Sequence, residues 1–366
     1  MINSQQIAIL EAFDAARAAQ PRLPAIDIAE RLSISEGELQ AARLGRDVWT
    51  LPLAPKDLAA HLPLLGRVKA LTRSRLAVLE QTGDYPELNG GSHTGLLLDP
   101  SGLDLRLLFS HWHWACLIRD PIHNPIHNPI HNPISDPMPT ENEQTQWRWS
   151  LQVFNQHGCA IHKSFALENP LPRHWGALAA LGTMDTPAFT QCAPRLKRAL
   201  PEAPTLASEW AAMRDVHQFF TLLQRHHLER LEANQLMEGR YTRVLPVGAL
   251  EQLLTNANQR ALPLMLFVAS PGCVQIRTGI VPAPQRARGW LNLFGEQFTL
   301  HLNDTAIEQV WQVSKPNRDG GVTSVEAFDA EGSLVLQIYA ERQEGSNERR
   351  EWRQLLNEID SQEAVA

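Results

Sequence analysis

The sequence predicts an α+β chain built by internal duplication, two similar modules that each join a large antiparallel sheet to flanking helices. Short apolar runs broken by Gly, Pro and Asn give the strands, and stretches of three-and-four periodicity give the helices. The third observation is that the same segments return, in the same order, further along the chain.

With 366 residues the chain is long enough for two cores, since a domain usually takes about 100 to 200 residues. A formal charge of −7 and an apolar share of 43% describe a mildly acidic soluble protein. They exclude the basic face that a nucleic-acid partner requires. The apolar runs are too short for a membrane span, and the N-terminus lacks a basic region followed by an apolar run and a cleavage site. No membrane insertion and a cytoplasmic location are therefore expected. Cys116, Cys159, Cys192 and Cys273 form no Cys-x-x-Cys pair, which argues against zinc or a disulfide framework and suits a reducing compartment.

In chain order, residues 1–50 read as helices. Ile7, Leu10, Phe13 and Ala16 make a stripe, and the segment from Ile26 to Leu44 has a helix-turn-helix pattern in which Ser35 and Glu38 form a capping box. That second helix carries Glu36 and Glu38 against the one basic residue Arg43, too few cations to hold phosphates. Residues 65–118 hold several short β-type runs. In Leu103-Asp-Leu-Arg-Leu107 the alternation directs Asp104 and Arg106 to one face of a strand.

Residues 121–134 spell Pro-Ile-His-Asn three times and then Pro-Ile. Proline at every fourth position forbids a helix or a sheet interior. His123, His127 and His131 either scavenge metal or decorate an exposed hairpin insertion at about 120–140, and proline-spaced histidines present no fixed geometry. Strands resume from Trp147 to Phe165, a helix follows around Trp175 to Leu181, and residues 186–207 read as a Pro- and Ala-rich linker.

The repeat is explicit. Ala77–Gly83 lies on Cys273–Gly279 at an offset of 196, and Leu103–Leu107 on Phe298–Leu302 at 195. Phe154–Gly158 lies on Phe328–Gly332, and Phe165-Ala166 on Tyr339-Ala340, both at 174. The offset falls by 21 across the Pro-Ile-His-Asn insertion, so the first copy carries an extra loop. The expected domains are 1–200 and 207–366. Two copies can grip a flat ligand from both sides, and they have diverged where it matters: Arg106 stands at the position of His301, and Glu168 at that of Arg342. Each lone arginine of this kind is more often a solvated strand residue than a ligand clamp.

Glu209 to Arg230 reads as one amphipathic helix with Trp210, Met213, Val216, Phe220 and Leu223 on its apolar stripe. His217 lies at the edge of that stripe. It is a ligand held in a dry pocket or an ordinary histidine with a satisfied hydrogen bond, and the helix alone leaves both open.

The residues from Glu209 to Trp352 resemble the bacterial cytoplasmic hemin-degrading and heme-trafficking proteins of the HemS type. The resemblance rests on Asp215-Val-His-Gln-Phe-Phe, Gly272-Cys-Val-Gln-Ile, Gly289-Trp-Leu-Asn, Phe298-Thr-Leu-His-Leu, Lys315-Pro-x-x-Asp-Gly, Val322-Thr-Ser, Gln337-Ile-Tyr and Arg342. Thr72-Arg73, Glu80-Gln-Thr-Gly83, Leu103 to Phe109 and Trp112 extend it into the first half.

The resemblance implies that His217 is the axial ligand of heme iron and that Arg106, the candidate catalytic residue, stands on the opposite face. It further implies that Arg230, Lys315 and Arg342 belong to the heme pocket with Gln337 and Tyr339 nearby. Phe220 and Phe267 are candidates for its apolar walls. The residue types suit these roles. A proximal imidazole commonly holds heme iron, arginine is a permanently charged donor, and Arg and Lys pair with propionates. Arg230 lies roughly 220° round an unbroken helix from His217 at 100° per residue, so one heme can meet both only if the helix breaks near His226-His227. Ala340 stands where the family has Gly, a difference expected to tighten the pocket near Arg342, and Leu79 where some members have His. The implied function is oxidative heme degradation with an external reductant, and the alternative is a carrier that hands heme on. A heme importer or an electron donor is the expected partner.

Overall fold

The computed structural model describes residues 4–122, 146–192, 198–342 and 345–363. His123, His127 and His131, read as a metal tract or a plain insertion, lie outside the described residues. The strands on either side, Trp114–Ile122 and Gln146–Phe154, pair directly with one another as an antiparallel hairpin.

Among the described residues, two nine-stranded sheets make up the α+β fold. The first runs in the order Val48–Thr50, Trp114–Ile122, Gln146–Phe154, Ala160–Ala166, Val68–Arg73, Ala77–Gly83, Phe298–Leu302, Trp290–Phe294, Gln285–Ala287. The second runs Thr242–Leu245, Gln309–Lys315, Val322–Phe328, Leu334–Ala340, Leu264–Ser270, Cys273–Gly279, Asp104–Leu108, Thr94–Leu97, Leu88–Gly90. The orders match strand for strand, as the repeat predicts. Both copies also end a hairpin in the same way. Asn155 and Asp329 each accept two backbone N–H groups across their turns, and Gly158 and Gly332 follow with φ of 71° and 75°, where a Cβ would be strained.

Each sheet takes its last three strands from the other repeat. Ala77–Gly83 pairs with Phe298–Leu302 and Cys273–Gly279 with Asp104–Leu108. The compact units are correspondingly interleaved: Leu71–Asn89 and Leu96–Leu107 cluster with Ala193–Ala366, and Met1–Ala70, Gly90–Gly95 and Leu108–Cys192 form the other unit. Repeat and compact unit are thus different partitions of the chain.

In the unit that holds Ala193–Ala366, strand alternation sorts the side chains onto two faces. Leu264, Leu266, Val268, Val325, Leu336, Ile338 and Ala340 turn to one side, where helices Ala249–Gln259 and Arg350–Glu363 bury Leu253, Leu254, Trp352 and Leu355 against them. Ala340 is 2% exposed in this core and opposite Leu264. Its methyl therefore points away from the Tyr339 face and does not tighten a pocket there, contrary to the expectation. Leu79 is likewise core, opposite Leu300. On the reverse face, short helices pack Leu206, Trp210, Phe219 and Leu231 against Trp311, Val313 and Phe328. Fully burying one such large apolar side chain stabilises by roughly 1.5–3 kcal/mol.

The stretch read as one helix from Glu209 to Arg230 is three: Leu206–Ala211, Gln218–Arg225 and Arg230–Leu236. The expected break at His226-His227 is present, with His227 at φ 52°. The earlier break, at 212–217, was not expected and has a local cause. Gln218 Oε1 accepts the backbone N–H of Arg214 at 2.8 Å and of Asp215 at 3.1 Å, and Asp215 Oδ1 accepts that of His217 at 2.8 Å. These side chains offer the backbone an alternative to the helix ladder. Restarting at Gln218 also resets the apolar phase, so Phe219 is buried at 2% and Phe220 is 62% exposed. Phe220 thus leaves the stripe assigned to it. Among the described residues no helix is long and apolar enough to cross a membrane.

Candidate functional site

The reverse face of the second sheet, on which the short helices pack, carries most of the residues singled out in the sequence. Cross-strand register sets Lys315 opposite Val322, Ser324 opposite Tyr339, Glu326 opposite Gln337, Gln337 opposite Phe267, Phe267 opposite Ile276, and Ile276 opposite Asp104. Directly opposed residues share a face, so Arg106, two residues beyond Asp104, shares this face with Lys315. Asp104 and Arg106 form an ion pair, and Arg106 Nη1 also reaches the Leu105 carbonyl at 3.3 Å. Burial raises the Asp104 pKa, opposed by the charge of Arg106 and its hydrogen bond.

At the other end of the face the cations converge on Glu326, a fully buried residue that the sequence reading missed. Its Oε1 accepts from Lys315 Nζ at 2.7 Å, Arg230 Nη1 at 3.1 Å, Gln337 Nε2 at 2.9 Å and Ser324 Oγ at 3.0 Å, and Oε2 accepts from Asn234 at 3.2 Å. Burial alone would raise the carboxyl, but the charges of Lys315 and Arg230 with the hydrogen bonds from Lys315 and Asn234 outweigh it and hold the pKa at about 2. Two cations against one carboxylate leave a net positive cluster at the sheet surface. Gln337 Nε2 also reaches the Tyr339 hydroxyl at 3.2 Å, and the Tyr339 ring lies 5.1 Å from that of Phe267. Phe267, Tyr339, Met265 and Val274 are all half-buried, which leaves an apolar floor beside the cations. Arg342 Nη1 is buried without a hydrogen bond, 3.8 Å from the Asp319 carboxylate. A buried donor of this kind invites an acidic group.

His217 lies just before helix Gln218–Arg225. Two residues later the Phe219 ring lies under Lys315 Nζ at 4.7 Å and the Arg230 guanidinium at 5.0 Å, so the helix start is anchored there. The His217 side chain is 92% exposed, with Nδ1 2.7 Å from Asp215 Oδ1. The dry-pocket reading of its surroundings therefore does not hold. The structure brings Arg230, Lys315, Gln337, Tyr339 and Phe267 into contact and aligns Arg106 on their face. It joins neither His217 nor Phe220 to them by direct contact. Among the described residues no group of three or more His, Cys, Asp or Glu side chains is arranged to hold a bare metal ion.

The first copy lacks this arrangement. Glu36 opens helix Glu36–Ala42 behind a capping box as Arg230 opens Arg230–Leu236, and Lys163 stands 174 residues before Gln337. There the acid is on the helix and the base on the strand. Lys163 and Glu36 form a buried ion pair with each other, which leaves no surplus charge.

Residues 33–130 and 227–359 match the family model described as Haemin-degrading HemS.ChuX domain. The chain belongs to that family. Two separate HemS.ChuX matches agree with the two repeats. The chain is 36% identical over 358 residues to the hemin transport protein HmuS of Yersinia pestis, covering 96% of this chain and 97% of that one. Its fold is similar to that of the heme degrading enzyme ChuS of Escherichia coli O157:H7, with a TM-score of 0.84, 34% identity, and 96% and 99% of the two chains covered. It is also similar to holo-PhuS, a heme-binding protein from Pseudomonas aeruginosa, at a TM-score of 0.81, 34% identity, and 96% and 97% covered.

Proposed function

We propose that this protein is a cytoplasmic heme-binding member of a hemin-uptake system that opens the porphyrin oxidatively and releases iron, with His217 as the axial ligand. In this reading the porphyrin lies on the floor of Phe267 and Tyr339, walled by Phe220. Arg230, Lys315 and Arg342 meet the propionates, Gln337 and Tyr339 hydrogen-bond nearby, and Arg106 serves the opposite face. The observation that carries it is the net positive cluster of Lys315, Arg230 and Glu326 beside a half-buried aromatic floor. A planar, apolar dianion needs both. Bound heme is at once substrate and the group that activates oxygen, and electrons come from an external reductant or a partner protein. Arg106 holds a permanent positive charge toward that chemistry, and Asp104, to which its Nη1 donates, fixes its orientation. The names of similar proteins, HmuS for hemin transport and ChuS for heme degradation, point the same way.

The exposure of His217 favours a second reading, a carrier that takes heme from an importer and delivers it to another enzyme, because an open ligand exchanges readily. One experiment separates the two. The heme complex is given a reductant under air with catalase present, and the Soret band, released iron and tetrapyrrole are followed. A defined linear tetrapyrrole with stoichiometric iron supports turnover, and bleaching without it supports the carrier. His217→Ala should weaken heme binding and change the iron spectrum, and an unchanged spectrum moves the ligand elsewhere. Arg106→Ala should spare binding and slow cleavage.

A further inference from the structure

Heme ligation requires that one imidazole nitrogen present a lone pair, and the tautomer of a neutral histidine decides which. The segment before helix Gln218–Arg225 controls this at His217. Asp215 Oδ1 lies 2.7 Å from His217 Nδ1 and, from the same atom, 2.8 Å from the His217 backbone nitrogen. An ionised carboxylate is an acceptor only, so both nitrogens donate to it and the ring proton sits on Nδ1. Nε2 then carries the lone pair, on a side chain that is 92% exposed.

Asp215 is itself held. Its backbone N–H and that of Arg214 donate to Gln218 Oε1, and the Arg214 carbonyl accepts from the Arg318 backbone N–H at 3.1 Å, three residues beyond Lys315. An exposed surface ion pair contributes little to stability, roughly 0–1 kcal/mol, so a loop this closely tied has another use.

We infer that Asp215 is the positioning residue for His217: it fixes the Nδ1–H form, turns Nε2 outward as the ligand atom, and makes the ring a stronger electron donor. This rests on the reading of His217 as the iron ligand. Metal-bound histidines usually donate their second N–H to a carboxylate or carbonyl, which orients the ring and raises its basicity. A more basic axial ligand favours the ferric over the ferrous state.

The test uses the full chain and Asp215→Ala, Asp215→Asn and His217→Ala variants, with amide spectra checking the fold. In the heme-free protein, nitrogen-15 NMR of the imidazole at fixed alkaline pH should show Nδ1–H in the parent and in Asp215→Asn, whose amide oxygen still accepts. Asp215→Ala should move toward the Nε2–H form that free histidine prefers. In the heme complex, both Asp215 variants should shift the one-electron equilibrium toward ferrous iron by about tenfold, which is about 59 mV, and lower the iron–histidine stretching frequency. An Nδ1–H ring in Asp215→Ala overturns the proposal, as does an unchanged potential in both variants. A tautomer shift together with a heme spectrum insensitive to His217→Ala supports the positioning role and overturns the ligand assignment.

Discussion

Removing the charge of Glu326 strands a buried cation. In Glu326→Gln the shape is kept, but Lys315, 3% exposed and hydrogen-bonded to that carboxylate, stays buried as a cation without its counter-ion. Breaking a buried pair by removing one partner costs about 3–5 kcal/mol. The pKa gives a second route to the magnitude. A fall from 4.5 to about 2 is about 2.5 units at 1.36 kcal/mol each, or about 3 kcal/mol. The amide oxygen of Gln still accepts from Lys315, so the lower figure, about 3 kcal/mol, applies. At roughly 2–4 °C per kcal/mol for a domain of this size class, the variant should melt about 6–12 °C lower by calorimetry and tryptophan fluorescence. The pH dependence has a fixed sign. Glu326 has a depressed folded pKa, so its stabilisation is full above the unfolded value of 4.5 and disappears as pH falls toward about 2. The gap between parent and variant should therefore close across that window. A loss under about 1 kcal/mol at neutral pH, or a gap that persists near pH 2, refutes the view of Glu326 as the counter-ion of the cluster.

Adjacent phenylalanines should behave differently. Phe219→Ala, at a 2% exposed position, should cost about 3–5 kcal/mol in urea denaturation. Phe220→Ala, 62% exposed, should stay within about 0.5 kcal/mol and show its effect in heme titration instead. His227 adopts φ 52°, a conformation costing a non-glycine residue roughly 1–2 kcal/mol, so His227→Gly should leave the melting temperature unchanged or raise it while His227→Val lowers it. In the first copy, Lys163→Met strands Glu36, 2% exposed, and should destabilise by about 3 kcal/mol, and adding Glu36→Leu should restore most of that loss.

The duplicated α+β fold was legible because period-two alternation and a constant offset are local or pairwise properties of the sequence. Partner choice between strands is neither, and nothing in Phe298–Leu302 says that it pairs with Ala77–Gly83 of the other repeat. Arg230, Lys315, Gln337 and Tyr339 were legible through the family resemblance. Glu326 was legible in principle, since the alternation from Val322 to Phe328 directs it to the same face as Ser324, where a lone acid requires cations. Phe219 was lost to its neighbour because the apolar phase was carried through a break. Asp215, a residue type that favours helix starts, marks that break two residues before His217.

The exchanged strands hold the two repeats together independently of the peptide link between them. Cutting the chain around residues 198–205 would not separate the halves, because Ala77–Gly83 would remain zipped to Phe298–Leu302 and Asp104–Leu108 to Cys273–Gly279. Either half made alone would show bare amide and carbonyl rows where its sister's strands belong, an invitation to pair with itself and aggregate.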